Sequence, residues 1–165
     1  MFEQTQTRPR QTGVAERDLA PAQDSVQGHT LSDFLRLLFR LLDENAIRYC
    51  VLHSWEGLPD SLPSDLDMAV HPRDRAKLAQ VFQGLLAAGY RPVQCRHHAG
   101  GHRFDFVWLE PQGVRAAGLD VTDKYREHGM TLWRGEELAK ERWQFRGFWV
   151  AGPAVEFAYT LARRS

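Results

Sequence analysis

Residues 62–70 read LPSDLDMAV and set two carboxylates one residue apart in a short apolar run. Successive side chains of a strand point to opposite faces. Leu66, Met68 and Val70 therefore share one face, and Asp65, Asp67 and Ala69 the other. Like charges that close destabilise a fold unless water or a cation stands between them. A second segment, GLDVTD at 118–123, alternates Leu119 and Val121 with Asp120 and Thr122, and so brings a third carboxylate to a polar face. Hard oxygen donors of this kind suit Mg²⁺ or Mn²⁺. Three aspartates on adjacent strands would hold one or two such ions about 3.5–4 Å apart, the arrangement that serves in-line attack on phosphorus. The ions would activate an attacking hydroxyl and neutralise the transferring group. Asp120 would double as ligand and as general base for the acceptor hydroxyl.

The elements around these carboxylates follow from periodicity. Thr30, with Asp33 three residues on, caps a helix running to about Asn45, whose Leu31, Phe34, Leu35, Leu38 and Leu42 recur at helical spacing. IRYCVLH at 47–53 has strand character, and a Gly/Pro/Ser loop leads from it to the aspartate strand. A second helix carries Leu78, Val81, Phe82, Leu85 and Leu86 and ends at Gly89. Three further strands are expected at YRPVQCR, HRFDFVWLE and AAGLDVTD, the last two joined by PQGVR. GEELAKERW reads as a short helix, GFWVAG as extended, and Pro153 opens a last helix. The fold class is α+β: a mixed sheet of about five strands with helices packed on one face.

Composition narrows the function classes. The 165 residues suit one folded domain at 29–165, behind a polar, aperiodic tail at 1–28 expected to be disordered. The last helix runs into RRS without a stop signal, and a truncated or fused C-terminus is expected. Lys and Arg number 21 against 21 Asp and Glu, so no global field draws the chain to nucleic acid or an acidic membrane. No segment nears the roughly 20 apolar residues of a membrane span, no signal peptide opens the chain, and two cysteines make no disulfide framework. A cytoplasmic protein is expected.

The run YCVLHSWEGLPDSLPSDLDMAV resembles the nucleotidyltransferase superfamily typified by DNA polymerase beta. The signature there is a strand ending in Gly-Gly or Gly-Ser, a spacer of about ten residues, then Asp-apolar-Asp-apolar on the next strand. Ser54 takes the second signature position, and Asp65, Leu66, Asp67 and Met68 supply the aspartate pair; Asp120 matches the third carboxylate. The departure is His53, which stands where the signature has glycine. RYCVLHSWEGLP, SDLDMAV and GFWVAGPAVEFAYTL further resemble nucleotidyltransferase-like proteins of bacterial polysaccharide-biosynthesis contexts. The resemblance implies a Mg²⁺-dependent transfer of a nucleotidyl group from a nucleoside triphosphate to a hydroxyl of a small molecule or sugar. Asp65, Asp67 and Asp120 would be catalytic and metal-binding, and His53 and Ser54, with Ser64, nucleotide-binding. The alternative is a catalytically silent module serving a fused or partner enzyme.

Other residues have plainer readings. Asp105 is the rival third ligand, and Trp55 the candidate for stacking on a base. Cys95, His97, His98 and His102 lack the repeated close spacing of a structural zinc site and read as an incidental loop cluster, with His102 and Arg103 available to an anionic substrate.

Overall fold

The computed structural model describes residues 29–98, 100–127 and 130–164; the tail expected at 1–28 lies outside the described residues. Helix α1 (Leu31–Glu44) opens with the expected capping box, Thr30 and Asp33 each satisfying the other's backbone N–H. Strand β1 (Tyr49–Val51) pairs antiparallel with β2 (Leu66–Val70). A 3₁₀ segment (Pro72–Lys77) then leads into α2 (Leu78–Ala87), and Gly89 closes that helix in the left-handed conformation, φ +94°.

Strands β3 (Arg91–His98), β4 (Gly101–Glu110) and β5 (Gly113–Thr122) form an antiparallel meander, and β5 returns parallel to β2. A separate hairpin, β6 (Lys124–Glu127) with β7 (Met130–Arg134), leads to α3 (Gly135–Lys140). The chain ends with β8 (Arg142–Phe145), β9 (Phe148–Ala151) and α4 (Pro153–Arg164). The main sheet has seven strands in the order β3-β4-β5-β2-β1-β9-β8, two more than expected.

Alternation decides where the core sits. Leu66, Met68 and Val70 meet Leu119 and Val121 on one face and are sealed by Phe34, Leu35, Leu38 and Leu42 of α1 and Val81 and Leu85 of α2. Each fully buried leucine contributes about 1.5–3 kcal/mol. On the other face a smaller cluster, Cys50, Leu52, Ala69 and Ala151 with Leu138 of α3 and Val155 of α4, covers one end only. The aspartates share that second face with Ala69 and lie beyond its apolar cover, so the fold leaves a polar floor there.

Two differences from the expected elements have local causes. Residues 141–143 do not continue the GEELAKERW helix: it stops at Lys140, and Arg142 and Trp143 enter β8. Arg146 and Gly147, both at positive φ (45° and 90°), close a tight β8–β9 turn without the usual Asn-Gly signal. Gly113, Val114 and Arg115 of the expected turn already belong to β5. No helix among the described residues is long and apolar enough to cross a membrane.

Candidate active site on the open sheet face

Register brings two of the three aspartates side by side. β2 and β5 run parallel with Leu66 opposite Leu119 and Asp67 opposite Asp120, so both carboxylates rise from neighbouring strands onto the polar face. Their side chains are 24% and 27% exposed, open enough to meet a ligand. Arg103 of β4 lies opposite Asp120 on the same face.

Each carboxylate of the signature has a different nitrogen partner. Both oxygens of Asp65 are held by Arg103: Nη2 donates to Oδ1 at 2.8 Å and Nη1 to Oδ2, while Nε of the same guanidinium donates to Asp105 Oδ1 at 2.9 Å. Arg96 adds a 3.4 Å contact to Asp105 Oδ2. Asp105, the rival ligand, is thus already neutralised, and Asp65 shares its cation. Asp67 Oδ2 meets His53 Nε2 at 2.8 Å, and Asp120 Oδ1 meets His98 Nε2 at 2.8 Å. Glu156 of α4 stands close enough to interact electrostatically with His53 and Glu56; burial first, then Glu56, holds its carboxyl above the usual range.

The turn after β1 explains how histidine fits where glycine was expected. The left-handed residue is Ser54, φ +55°, not His53. A non-glycine residue held there costs about 1–3 kcal/mol, and such strain concentrates at functional turns. His53 needs no glycine backbone, and its ring reaches Asp67 through Nε2 while Nδ1 lies 2.9 Å from Ser54 Oγ. Leu52 N–H donates to Asp67 O at 2.9 Å, locking this turn against β2.

Ser64 lines a polar cavity of about 270 Å³ with Asp65, Arg103, Asp105, Arg115 and Gly118, beside the start of β2. A larger cleft of about 330 Å³, lined by Arg36, Arg40, Asp43 and Arg146 among others, includes none of the three aspartates, and the chemistry assigns the site elsewhere. Trp55 does not stand free to stack on a base: its ring packs against Phe145 and Trp143, at 4.7 and 5.5 Å between centroids. The histidines read as a loop cluster occupy strands β3 and β4 instead, with His97 edge-on to His102. His102 bonds Arg75, and burial, then Arg75, keeps its ring below the usual imidazole range.

Among the described residues no three His, Cys, Asp or Glu side chains converge into a cluster that encloses an ion by itself. Mg²⁺ does not require one: it keeps waters and binds through one or two carboxylates plus substrate phosphates. Asp67 and Asp120, adjacent, oxygen-bearing and accessible, fit that requirement; Asp65, tied on both oxygens to Arg103, does not join them here.

Sequence reasoning missed His98, Arg103 as the partner of Asp65, and Glu156. The histidine reaches Asp120 across β4, where its opposite residue, Gly101, carries no side chain. The signal was the glycine beside the histidine pair, legible only once the β3–β4 register is fixed.

No protein-family model matches the sequence, and none of the curated proteins does. Solved structures resemble the fold. JHP933 from Helicobacter pylori superposes with a TM-score of 0.51 at 13% identity, over 79% of this chain and 54% of that one. A candidate nucleotidyltransferase from the same organism gives 0.50 at 13% identity, over 78% and 55%. A candidate nucleotidyltransferase from Thermotoga maritima gives 0.47 at 16%, over 79% and 83%. The chain thus spans about half the length of the two Helicobacter pylori proteins, and what it shares with them is a nucleotidyltransferase-like α+β fold.

Proposed function

We propose that the chain is a nucleotidyltransferase domain that moves a nucleotidyl group from a nucleoside triphosphate to a hydroxyl of a small molecule or sugar. The observation that carries this reading is the β2–β5 register, which sets Asp67 beside Asp120 on the open face, next to the His53-Ser54 turn. Asp67 and Asp120 would hold Mg²⁺ or Mn²⁺, which when bound neutralises phosphate charge and favours the attacking hydroxylate. The residues of the chain do the rest. The strained turn at Ser54, next to His53 and its Asp67 contact, would offer its backbone to the phosphates; Ser64 and the Arg103 cavity would offer hydrogen bonds beside it; and Asp120 would take the acceptor proton. Nothing in the net charge favours a long polyanion as acceptor.

Transfer of label from α-³²P nucleoside triphosphates to a panel of sugars and amino sugars, with Mg²⁺, tests the reading. Asp67→Asn and Asp120→Asn are each expected to lower the rate by a hundredfold or more, at the scale of losing one electrostatic group of a reaction centre, about 10²–10³. Transfer unchanged in either variant would refute the assignment. No transfer or nucleotide binding by well-folded protein would favour the alternative, a silent module of the same fold.

A further inference from the structure

We propose that His53 and His98 are positioning residues for a divalent cation, each fixing one oxygen of a carboxylate and leaving the second oxygen of Asp67 and of Asp120 to the ion. This rests on reading that aspartate pair as the cation ligands. It gives His53 a role at the position where the signature has glycine, and His98 the same role two strands away.

The two histidines are used alike. A carboxylate only accepts, so the 2.8 Å contacts place a proton on Nε2 of both rings. At His98 the backbone N–H of Gly100 donates to Nδ1 at 3.3 Å, so that nitrogen is an acceptor and the ring is the neutral Nε2–H tautomer. At His53, Nδ1 lies 2.9 Å from Ser54 Oγ, where the same tautomer would accept the hydroxyl proton. The Ser54 hydroxyl is then committed to the imidazole, and the turn meets a ligand through its backbone.

The contrast with Asp65 is one of charge. Arg103 binds both oxygens of Asp65 with a charged guanidinium, shared with Asp105, so neither oxygen is left to an ion. A neutral imidazole orients a carboxylate while leaving its negative charge for a cation, as hydrogen bonds to ligating carboxylates do in metal sites elsewhere. By this criterion Asp67 and Asp120 stay competent for a cation and Asp65 does not. The bonded oxygens are Oδ2 of Asp67 and Oδ1 of Asp120.

The test is Mn²⁺ titration of the full chain without nucleotide, followed by the electron paramagnetic resonance signal of the free ion. Asp67→Asn serves as the control for the site. His53→Ala and His98→Ala are each expected to weaken Mn²⁺ binding by about ten- to a hundredfold, with little change in the metal-free melting temperature. His53→Gln and His98→Gln, whose amide places an N–H near the imidazole Nε2, are expected to recover most of the affinity; a merely structural histidine would show no such rescue. His98 is 42% exposed, so its variants are expected to fold, and they decide between the outcomes if His53→Ala does not melt cooperatively. Alanine variants that bind within about twofold of the parent, glutamine variants no better than alanine, or a parent that binds no Mn²⁺ would each overturn the inference. Histidine-dependent Mn²⁺ binding with no nucleotidyl transfer would leave it standing and refute the proposed function alone. Transfer without histidine dependence would do the reverse.

Discussion

The aspartates of this chain share a side chain and little else, because each takes its character from its partner. Asp65 is held on both oxygens by an arginine, Asp67 and Asp120 each meet an imidazole, and Asp74 is structural. Asp74 is buried at the start of the 3₁₀ segment. It accepts from Arg48 Nε at 2.7 Å and Arg48 N–H at 3.1 Å, and pairs with Lys77 Nζ at 3.1 Å. The Arg48 side chain first, against the cost of burial, holds its carboxyl well below the usual range. A carboxyl depressed in the folded state stabilises the fold above its ordinary pKa, about 3.9, and loses that contribution as pH falls through its folded value. Asp74→Asn is therefore expected to cost about 2–3 kcal/mol at pH 7, and to cost progressively less as the pH drops below about 4. Urea unfolding at pH 7 and at pH 3 checks this; an equal loss at both would contradict it. Nothing in the local sequence marks Asp74 out, since its partner Arg48 is 26 residues away.

At the scale of elements, the paired strands β2 and β5 do the positioning, and a glycine tunes them. A Cβ built on Gly118 would lie 2.6 Å from both Arg103 Nη2 and Asp65 Oδ1, so only glycine lets the guanidinium lie across β5 to reach Asp65. Gly118→Ala is expected to destabilise the parent protein more than it destabilises the Arg103→Ala variant. A double-mutant cycle should give a coupling of about 1 kcal/mol, and strictly additive costs would contradict the contact. The strands with alternating apolar residues were legible in the sequence, as were the two faces of LPSDLDMAV, because burial on one side forces a period of two. The β6–β7 hairpin and β8 were not. KYRE, MTLWR and RWQF carry charges or mixed residues without a clean alternation, and they pair outside the centre of the sheet, where packing constrains side chains less. The site was half legible for the same reason: alternation placed the carboxylates on a face, but their partners come from other strands, and only register reveals them.

For the molecule as a whole, the design is a sheet with one face spent on a core and the other left partly open. Helices α1 and α2 seal the apolar face, while α3 and α4 cover only the end near Cys50 and Ala69, leaving the charged floor accessible to a ligand. Opposite charges balance across the chain, so a small anion would be recognised by local groups and by a bound cation, not by a long-range field. The most direct measurement is calorimetric titration of the protein with nucleoside triphosphates, with and without Mg²⁺, in the parent and in Asp67→Asn. Saturable binding that requires Mg²⁺ is expected in the parent and is expected to be lost in the variant. Binding that is absent from the folded parent, or that is equally strong without Mg²⁺ and with asparagine at position 67, would contradict it.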